Sequence, residues 1–325
     1  MLKVAVIGTG YMGRRHLDGY RKLPTVQIVG GACRSEATAS RIKSEYSIPV
    51  YLDYREMIEA AQPDAVSICS PTPLHCEMAT YTLNRSIATL VEKPFAETKE
   101  EAQQIINTAQ KHNTKLMVAH TDIYDPGILK LITLVAKGYA GDVRGVEYRK
   151  VGRDISPGDV EKGIVEQGME SEQEVIERVY NLLIHITYVV DKLANSGEPL
   201  AVATPELSAR RYRELVKSEI NYANGVAVRI LIDGTVDAPL SKLILVRGSK
   251  GEARWELKNG NCTISLITPD GMRRIPFTYA SPFDNVVKYF VEFIEKNIPP
   301  FTPGEDGLKI MELSQRIIDV FRGGK

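Results

Sequence analysis

Through the first 120 residues, short apolar runs alternate with segments whose apolar positions follow a helical period. The runs are Val4–Ile7, Val26–Ala32, Pro49–Tyr51, Asp64–Ser70, Ile87–Val91 and Leu116–Ala119. Their apolar residues point to both faces, as in parallel strands covered by helices on either side. The segments between them read as helices. One runs from Arg14 to Leu23, where Pro24 stops it; the others are Ser35–Tyr46, Tyr54–Ala61, Leu74–Leu83 and Thr98–His112. Ala102, Ile105, Ile106 and Ala109 share one face of the last. Strand and helix in alternation predict an α/β fold, a doubly wound parallel sheet, over residues 1–120.

After residue 120 the pattern changes. Pro126–Lys137 reads as a helix and Val143–Val151 as an alternating strand. Asp154–Glu177 is rich in Asp, Glu and Gly and reads as a solvated loop leading into a helix, with a mobile lid as the other reading. Glu177–Leu193 is apolar nearly all round and is expected to be a buried helix. Alternating runs then recur at Leu207–Tyr212, Val216–Ala223, Ala227–Ile232, Leu240–Val246, Glu252–Leu257, Cys262–Ile267 and Arg273–Phe277. Most are bounded by turn residues, with Asn259-Gly260 as a hairpin, so a meandering antiparallel sheet is expected. Asp284–Asn297 and Glu305–Phe321 close the chain as amphipathic helices, separated by Pro299-Pro300. Two domains follow, 1–120 and 121–325.

The first strand ends in chemistry. Gly8, Gly10 and Gly13 have the spacing G-x-G-x-x-G, with Thr9, Tyr11 and Met12 between them. After a strand and before a helix, this spacing gives a tight turn, a close approach for a pyrophosphate and close packing of helix on strand. A dinucleotide is therefore the expected ligand. At the end of the second strand, where NAD-binding versions of this unit carry Asp or Glu, stand Cys33, Arg34 and Ser35. Without the carboxylate a 2′-phosphate is not repelled, and the Arg34 guanidinium can pair with it. NADP is preferred over NAD on this ground. Ser70-Pro71-Thr72-Pro73 follows the fourth strand at the sheet edge where ligands sit, and His75 opens the next helix. Ser70, Thr72, Pro73 and His75 are accordingly placed at the cofactor. The fifth strand runs into Glu92-Lys93-Pro94, which sets a lysine at the same edge.

These residues resemble the Gfo/Idh/MocA family of NAD(P)-dependent oxidoreductases. The resemblance rests on GTGYMG, the TPLH loop at Thr72–His75, VEKPFAET at Val91–Thr98, VAHTDIYDP at Val118–Pro126 and a helical C-terminal segment, Phe283–Arg322. It spans essentially the whole chain. It implies an N-terminal Rossmann domain and a C-terminal domain on an open, mostly antiparallel sheet whose free face commonly pairs subunits, so a homodimer or homotetramer is expected. It also implies hydride transfer between a nicotinamide and a hydroxyl or carbonyl carbon of a sugar, inositol or nucleotide sugar. Glu92 and Lys93 would lie at the cofactor, with Lys93 and His185 sharing the proton transfer. Family members commonly carry G-x-x-x-D-x-x-x-H where this chain has Glu177, Asn181 and His185. A neutral Asn orients an imidazole without stabilising its cation, and Glu177 is read as a source for that missing charge. The departures leave a second reading open, a catalytically silent sensor or scaffold of the same fold. Arg149 and Arg153 are candidates for a substrate phosphate, or plain surface charges.

Composition narrows the partners. Lys plus Arg and Asp plus Glu both number 41, so nothing pulls the chain toward nucleic acid or an anionic membrane. No apolar run has the length of a bilayer span, and no signal peptide is read at the N-terminus. The four cysteines form no C-x-x-C pair and the five histidines no ligand pattern. No metal is expected, and the thiols suit a cytoplasmic protein.

Overall fold

The computed structural model describes residues 1–152, 171–195, 197–210 and 213–323. Contacts divide them into two compact units. The first comprises Met1–Tyr124 and Ala280–Met311, and the second Asp125–Tyr279 and the residues from Glu312 onward. Residues 280–311, expected in the second domain, thus pack with the first.

The first unit is built on six parallel strands: β1 (Leu2–Ile7), β2 (Val26–Ala32), β3 (Val50–Tyr51), β4 (Ala65–Ile68), β5 (Ala88–Glu92) and β6 (Leu116–Ala119). Their order is β3-β2-β1-β4-β5-β6. The order reverses beside β1, which opens a crevice at the C-terminal ends of β1 and β4. Helices α1 (Tyr11–Arg21), α2 (Glu36–Tyr46), α3 (Tyr54–Ala61), α4 (His75–Leu83) and α5 (Lys99–Lys111) connect the strands. The apolar runs bury on both faces as expected: Val4, Ala5, Val6, Ala65, Val66 and Ile68 are wholly inaccessible. Each such Val or Ile is worth roughly 1.5–3 kcal/mol relative to exposure. Ser35, Asp53 and Thr98 cap α2, α3 and α5 through side-chain oxygens that accept backbone N–H groups.

Helix α8 (Pro282–Lys296) belongs to this unit and packs on α1, with Val286, Val287, Phe290 and Val291 buried. Lys115 anchors its end, donating from Nζ to the carbonyls of Phe293 and Ile294 at 2.6 and 3.2 Å. A cation suits the negative end of a helix. An amphipathic pattern shows that a helix has a face to bury but not which core receives it, which is why the sequence division missed this return.

The second unit holds α6 (Pro126–Ala136), β7 (Val143–Val151), α7 (Glu172–Leu193) and seven further strands. These are β8 (Pro199–Arg210), β9 (Arg213–Tyr222), β10 (Ala227–Asp233), β11 (Ser241–Gly248), β12 (Gly251–Lys258), β13 (Asn261–Thr268) and β14 (Gly271–Arg274). The chain ends in α9 (Gly304–Gly323), along which the division between the units falls. The sheet order is β14-β13-β12-β11-β7-β10-β9-β8. Every pairing is antiparallel except β10 on β7. The α/β class with an N-terminal Rossmann sheet and an open, mostly antiparallel second sheet is as expected.

Several boundaries differ, among them that of the last strand, which runs Gly271–Arg274 rather than Arg273–Phe277 because its register with β13 ends at Arg274. α1 stops two residues short of Leu23. β8 begins at Pro199, well before Leu207; it is an edge strand whose register slips between Ala203 and Glu206, where Pro205 lies. An edge and a bulge are where a sheet accepts proline, so Pro205 does not break the strand. α7 begins at Glu172 rather than Glu177, because Ser171 and Glu174 form a reciprocal capping box. The loop-or-lid reading of residues 154–170, Arg153, and residues 211 and 212 lie outside the described residues.

Candidate active site

The glycine loop joins β1 to α1. Gly8 has φ +86°, and a Cβ there would stand 2.6 Å from the Cys69 carbonyl. A Cβ on Gly13 would stand 2.0 Å from the Gly8 oxygen. Strand, turn and helix start are pressed so close that only hydrogen fits. Gly10 is different. Its φ of −72° suits any residue, and a Cβ there would meet nothing within 4 Å. The fold does not require glycine at position 10; a ligand passing over it would. The first turn of α1 has neither a side-chain cap nor an acidic residue among the described residues. Its N–H groups therefore remain for an anion.

Two hydroxyls nearby support the same reading. Thr9 is fully buried, yet its Oγ1 has no hydrogen-bond partner among the described residues, and neither does Ser70 Oγ. Buried hydroxyls are seldom left so, and a polar ligand would satisfy both. Tyr11 and Met12 open α1, half-buried. Arg34 is exposed, past the C-terminal end of β2. The Ser35 hydroxyl is engaged at the cap of α2, where it accepts the Thr38 N–H at 3.4 Å. Thr72 and Pro73 form a single 3-10 turn over Thr72–Leu74 that leads into His75. His75 is buried, with Nδ1 2.9 Å from the Pro94 carbonyl oxygen and Nε2 2.8 Å from that of Ser70. It ties the 70–75 loop to the loop that carries Lys93, which is a holding role rather than a chemical one.

Glu92 ends β5 and is buried. Its Oε1 lies 3.0 Å from His16 Nε2 on α1, and its Oε2 accepts the Lys93 backbone N–H at 3.1 Å. Lys93 is half-buried at the C-terminal edge of the sheet, and its bond to Pro94 is cis. His16 was no site candidate from sequence. It stands one turn beyond Gly13 on α1, and only the fold reveals what it faces. His16, Cys69 and Glu92 offer ligand atoms within 4.8 Å of one another. Burial, and then the nearby Glu92 carboxylate, push the Cys69 thiol pKa well up, which opposes the thiolate a metal needs. The His16–Glu92 contact is a direct hydrogen bond.

In the second unit, Glu177, Asn181 and His185 follow one another along α7 at helical spacing. Glu177 is exposed, and its Oε1 accepts from Gln173 Nε2 at 3.0 Å. Asn181 donates from Nδ2 to the Glu177 carbonyl at 2.9 Å. His185 is half-buried, and Tyr188 on the same face is buried. Glu177 was read as a charge source for His185, but it lies eight residues away, about 12 Å along the helix. That separation and its exposure argue against the reading.

Residues 2–120 match the Gfo/Idh/MocA model, described as an oxidoreductase family with an NAD-binding Rossmann fold. Residues 2–120 therefore carry this family's NAD-binding Rossmann domain. The chain is an oxidoreductase with an NAD-binding Rossmann domain, and the glycine loop is its candidate nucleotide cradle. An uncharacterized oxidoreductase, YrbE of Bacillus subtilis (strain 168), is 24% identical over 319 residues, covering 94% of this chain and 89% of that one. The scyllo-inositol 2-dehydrogenase (NADP(+)) IolU of the same organism is 30% identical over 132 residues, 40% of each chain. Among solved structures, the UDP-N-acetylglucosamine 3-dehydrogenase GnnA from Acidithiobacillus ferrooxidans superposes with a TM-score of 0.82 at 20% identity, covering 98% of this chain and 97% of that one. That likeness establishes the fold across both units. Among the described residues, no helix is long and apolar enough to cross a membrane.

Proposed function

We propose that this oxidoreductase interconverts a hydroxyl and a carbonyl group on a sugar-like substrate: a free sugar, an inositol or a nucleotide sugar. The observation that carries the proposal is the pairing, at one sheet edge, of an open glycine cradle with a lysine whose backbone is clamped by a buried carboxylate. The names of similar proteins support the substrate class, since IolU is an inositol dehydrogenase and GnnA acts on a nucleotide sugar. A bound nicotinamide would give or accept the hydride at its C4. The rest falls to the chain. The Lys93 ammonium donates to the substrate oxygen, stabilising a developing alkoxide or supplying its proton. His185 is assigned the complementary proton step on the family resemblance, with Asn181 orienting it. For the cofactor we favour NADP. An exposed Arg34 beyond β2, with no acidic residue beside it at positions 33–35, supports that choice, as does the NADP in IolU's name.

Assembly as a homodimer or homotetramer through the second sheet is part of the proposal. One face of that sheet carries an alternating ladder of charge, in which the buried Glu147 accepts from Arg149 and Arg247, Arg247 pairs with Glu252, and Arg229 pairs with Glu219. Four free thiols support a cytoplasmic setting.

The first test is a fluorescence titration with NADPH and NADH, followed by a turnover screen over sugars, inositols and UDP-sugars. Tight binding that favours NADPH, together with turnover of one substrate class, is the expected result. Binding without any turnover would favour a cofactor-binding sensor. Absence of binding would remove the nucleotide reading altogether.

A further inference from the structure

The geometry points to His16 as a positioning residue for Lys93: it pins one oxygen of the buried Glu92 carboxylate so that the other clamps the Lys93 backbone. This rests on the reading of Lys93 as the acid–base group. The hydrogen-bonded register of β5 with β6 ends at Glu92, opposite Ala119. The next backbone N–H, that of Lys93, passes to Glu92 Oε2 at 3.1 Å, and the residue after it is a proline with no N–H to give. The orientation of the Lys93 backbone thus depends on where one carboxylate stands.

A carboxylate at 4% exposure does not stay in place unaided. Burying the charge costs several kcal/mol unless hydrogen bonds compensate it. His16 supplies the second bond, Nε2 to Oε1 at 3.0 Å, from a ring that is fully buried. Glu92 is an acceptor only, so His16 donates from Nε2 in this contact. His16 Nδ1 has no partner among the described residues, so Nε2 is the nitrogen that fixes the ring. His16 lies three residues after Gly13, on the helix whose start forms the nucleotide cradle. The same short helix therefore carries both the cradle and the brace for the lysine. The Pro94 carbonyl, on the other side of Lys93, is held by His75. Lys93 is fixed from both sides, which suits a group that must be placed within a fraction of an ångström of a reacting oxygen.

The test compares His16→Met, which keeps bulk and removes the donor, with His16→Gln, whose amide restores a donor near the Nε2 position. Two readouts are taken: amide hydrogen exchange at Lys93, and kcat and KM with the substrate found in the turnover screen. The expected result is exchange at Lys93 faster by about tenfold or more in His16→Met. kcat should fall by about tenfold or more with cofactor KM within about twofold, and both should recover in His16→Gln. Glu92→Met, which keeps the length and removes both acceptor oxygens, asks the question without emptying the helix face. It should also speed Lys93 exchange and lower kcat, and it decides the matter should His16→Met fail to fold. Unchanged exchange in the folded variants would overturn the brace. So would wild-type kcat in His16→Met beside an inactive Lys93→Ala. Normal turnover in Lys93→Ala would instead overturn the catalytic reading of Lys93, and the positioning role with it.

Discussion

The two units carry their candidate site residues in different ways. In the first, the site is made largely by backbone: a turn at φ +86°, a helix start 2.0 Å from a would-be Cβ clash, and N–H groups left open at a helix end. In the second, it is made by side chains spaced along one face of α7, on a helix that would fold equally well with other residues there. Steric constraints of the first kind admit one residue, glycine. Those of the second kind admit several, which is why α7 can carry Glu177 and Asn181 and still form. A backbone site is hard to alter without losing the fold, whereas a side-chain site can be retuned.

The glycine loop gives the sharpest test of that contrast. Gly13→Ala drives a Cβ into the Gly8 carbonyl, so the helix start must move. We expect a stability loss of roughly 2–4 kcal/mol by chemical denaturation and loss of measurable nucleotide binding. Gly10→Ala should differ: with φ −72° and open space it should unfold at the wild-type denaturant concentration, yet bind nucleotide at least about tenfold more weakly. If both variants bind and fold alike, the assignment of separate roles to the two glycines fails.

Lys93→Ala comes next in size. Turnover should fall by about a hundredfold or more while nucleotide binding changes little, because the cradle lies on other residues. Steady-state kinetics with a paired titration separates the two. A smaller effect is expected at Arg34, which is exposed past β2. Arg34→Ala should weaken NADPH by about tenfold, near 1.4 kcal/mol, and leave NADH unchanged. Equal weakening of both nucleotides would mean that Arg34 does not read the 2′-phosphate.

How much of this was legible depended on the range of the forces involved. The parallel sheet, its six strands and the glycine loop could be read because local patterns determine them. The extent of β8 could not, since Pro205 signals a break and only its place at a sheet edge removes the penalty. The start of α7 was obscured by an acidic stretch that hid the Ser171–Glu174 capping box. The return of α8 to the first unit depends on Gly19 meeting Val287 and on Lys115 reaching the helix end, contacts between residues far apart in the chain. His16 shows the same limit within the site. Nothing about a histidine at that position signals that it faces Glu92, 76 residues away.

The smallest effects concern α7 and test how far a side-chain site can be retuned. Asn181 stands one turn before His185, about 6 Å along the axis, and Glu177 stands two turns before it, about 12 Å. At physiological ionic strength, charges near water are screened over about 8 Å. Position 181 lies inside that range and exposed Glu177 lies outside it, with its carboxylate already accepting from Gln173. Asn181→Asp adds a negative charge that favours the protonated imidazole, so the His185-dependent limb of the pH–rate profile should move to higher pH, by up to about one unit. The direction is fixed by the sign of the charge: the neutral base forms later as pH rises. Glu177→Gln should move the same limb by no more than about 0.2 units. A larger shift from Glu177→Gln than from Asn181→Asp would mean that the carboxylate at 177 reaches the imidazole after all, and that this chain has moved the family's charge one turn along the helix rather than given it up.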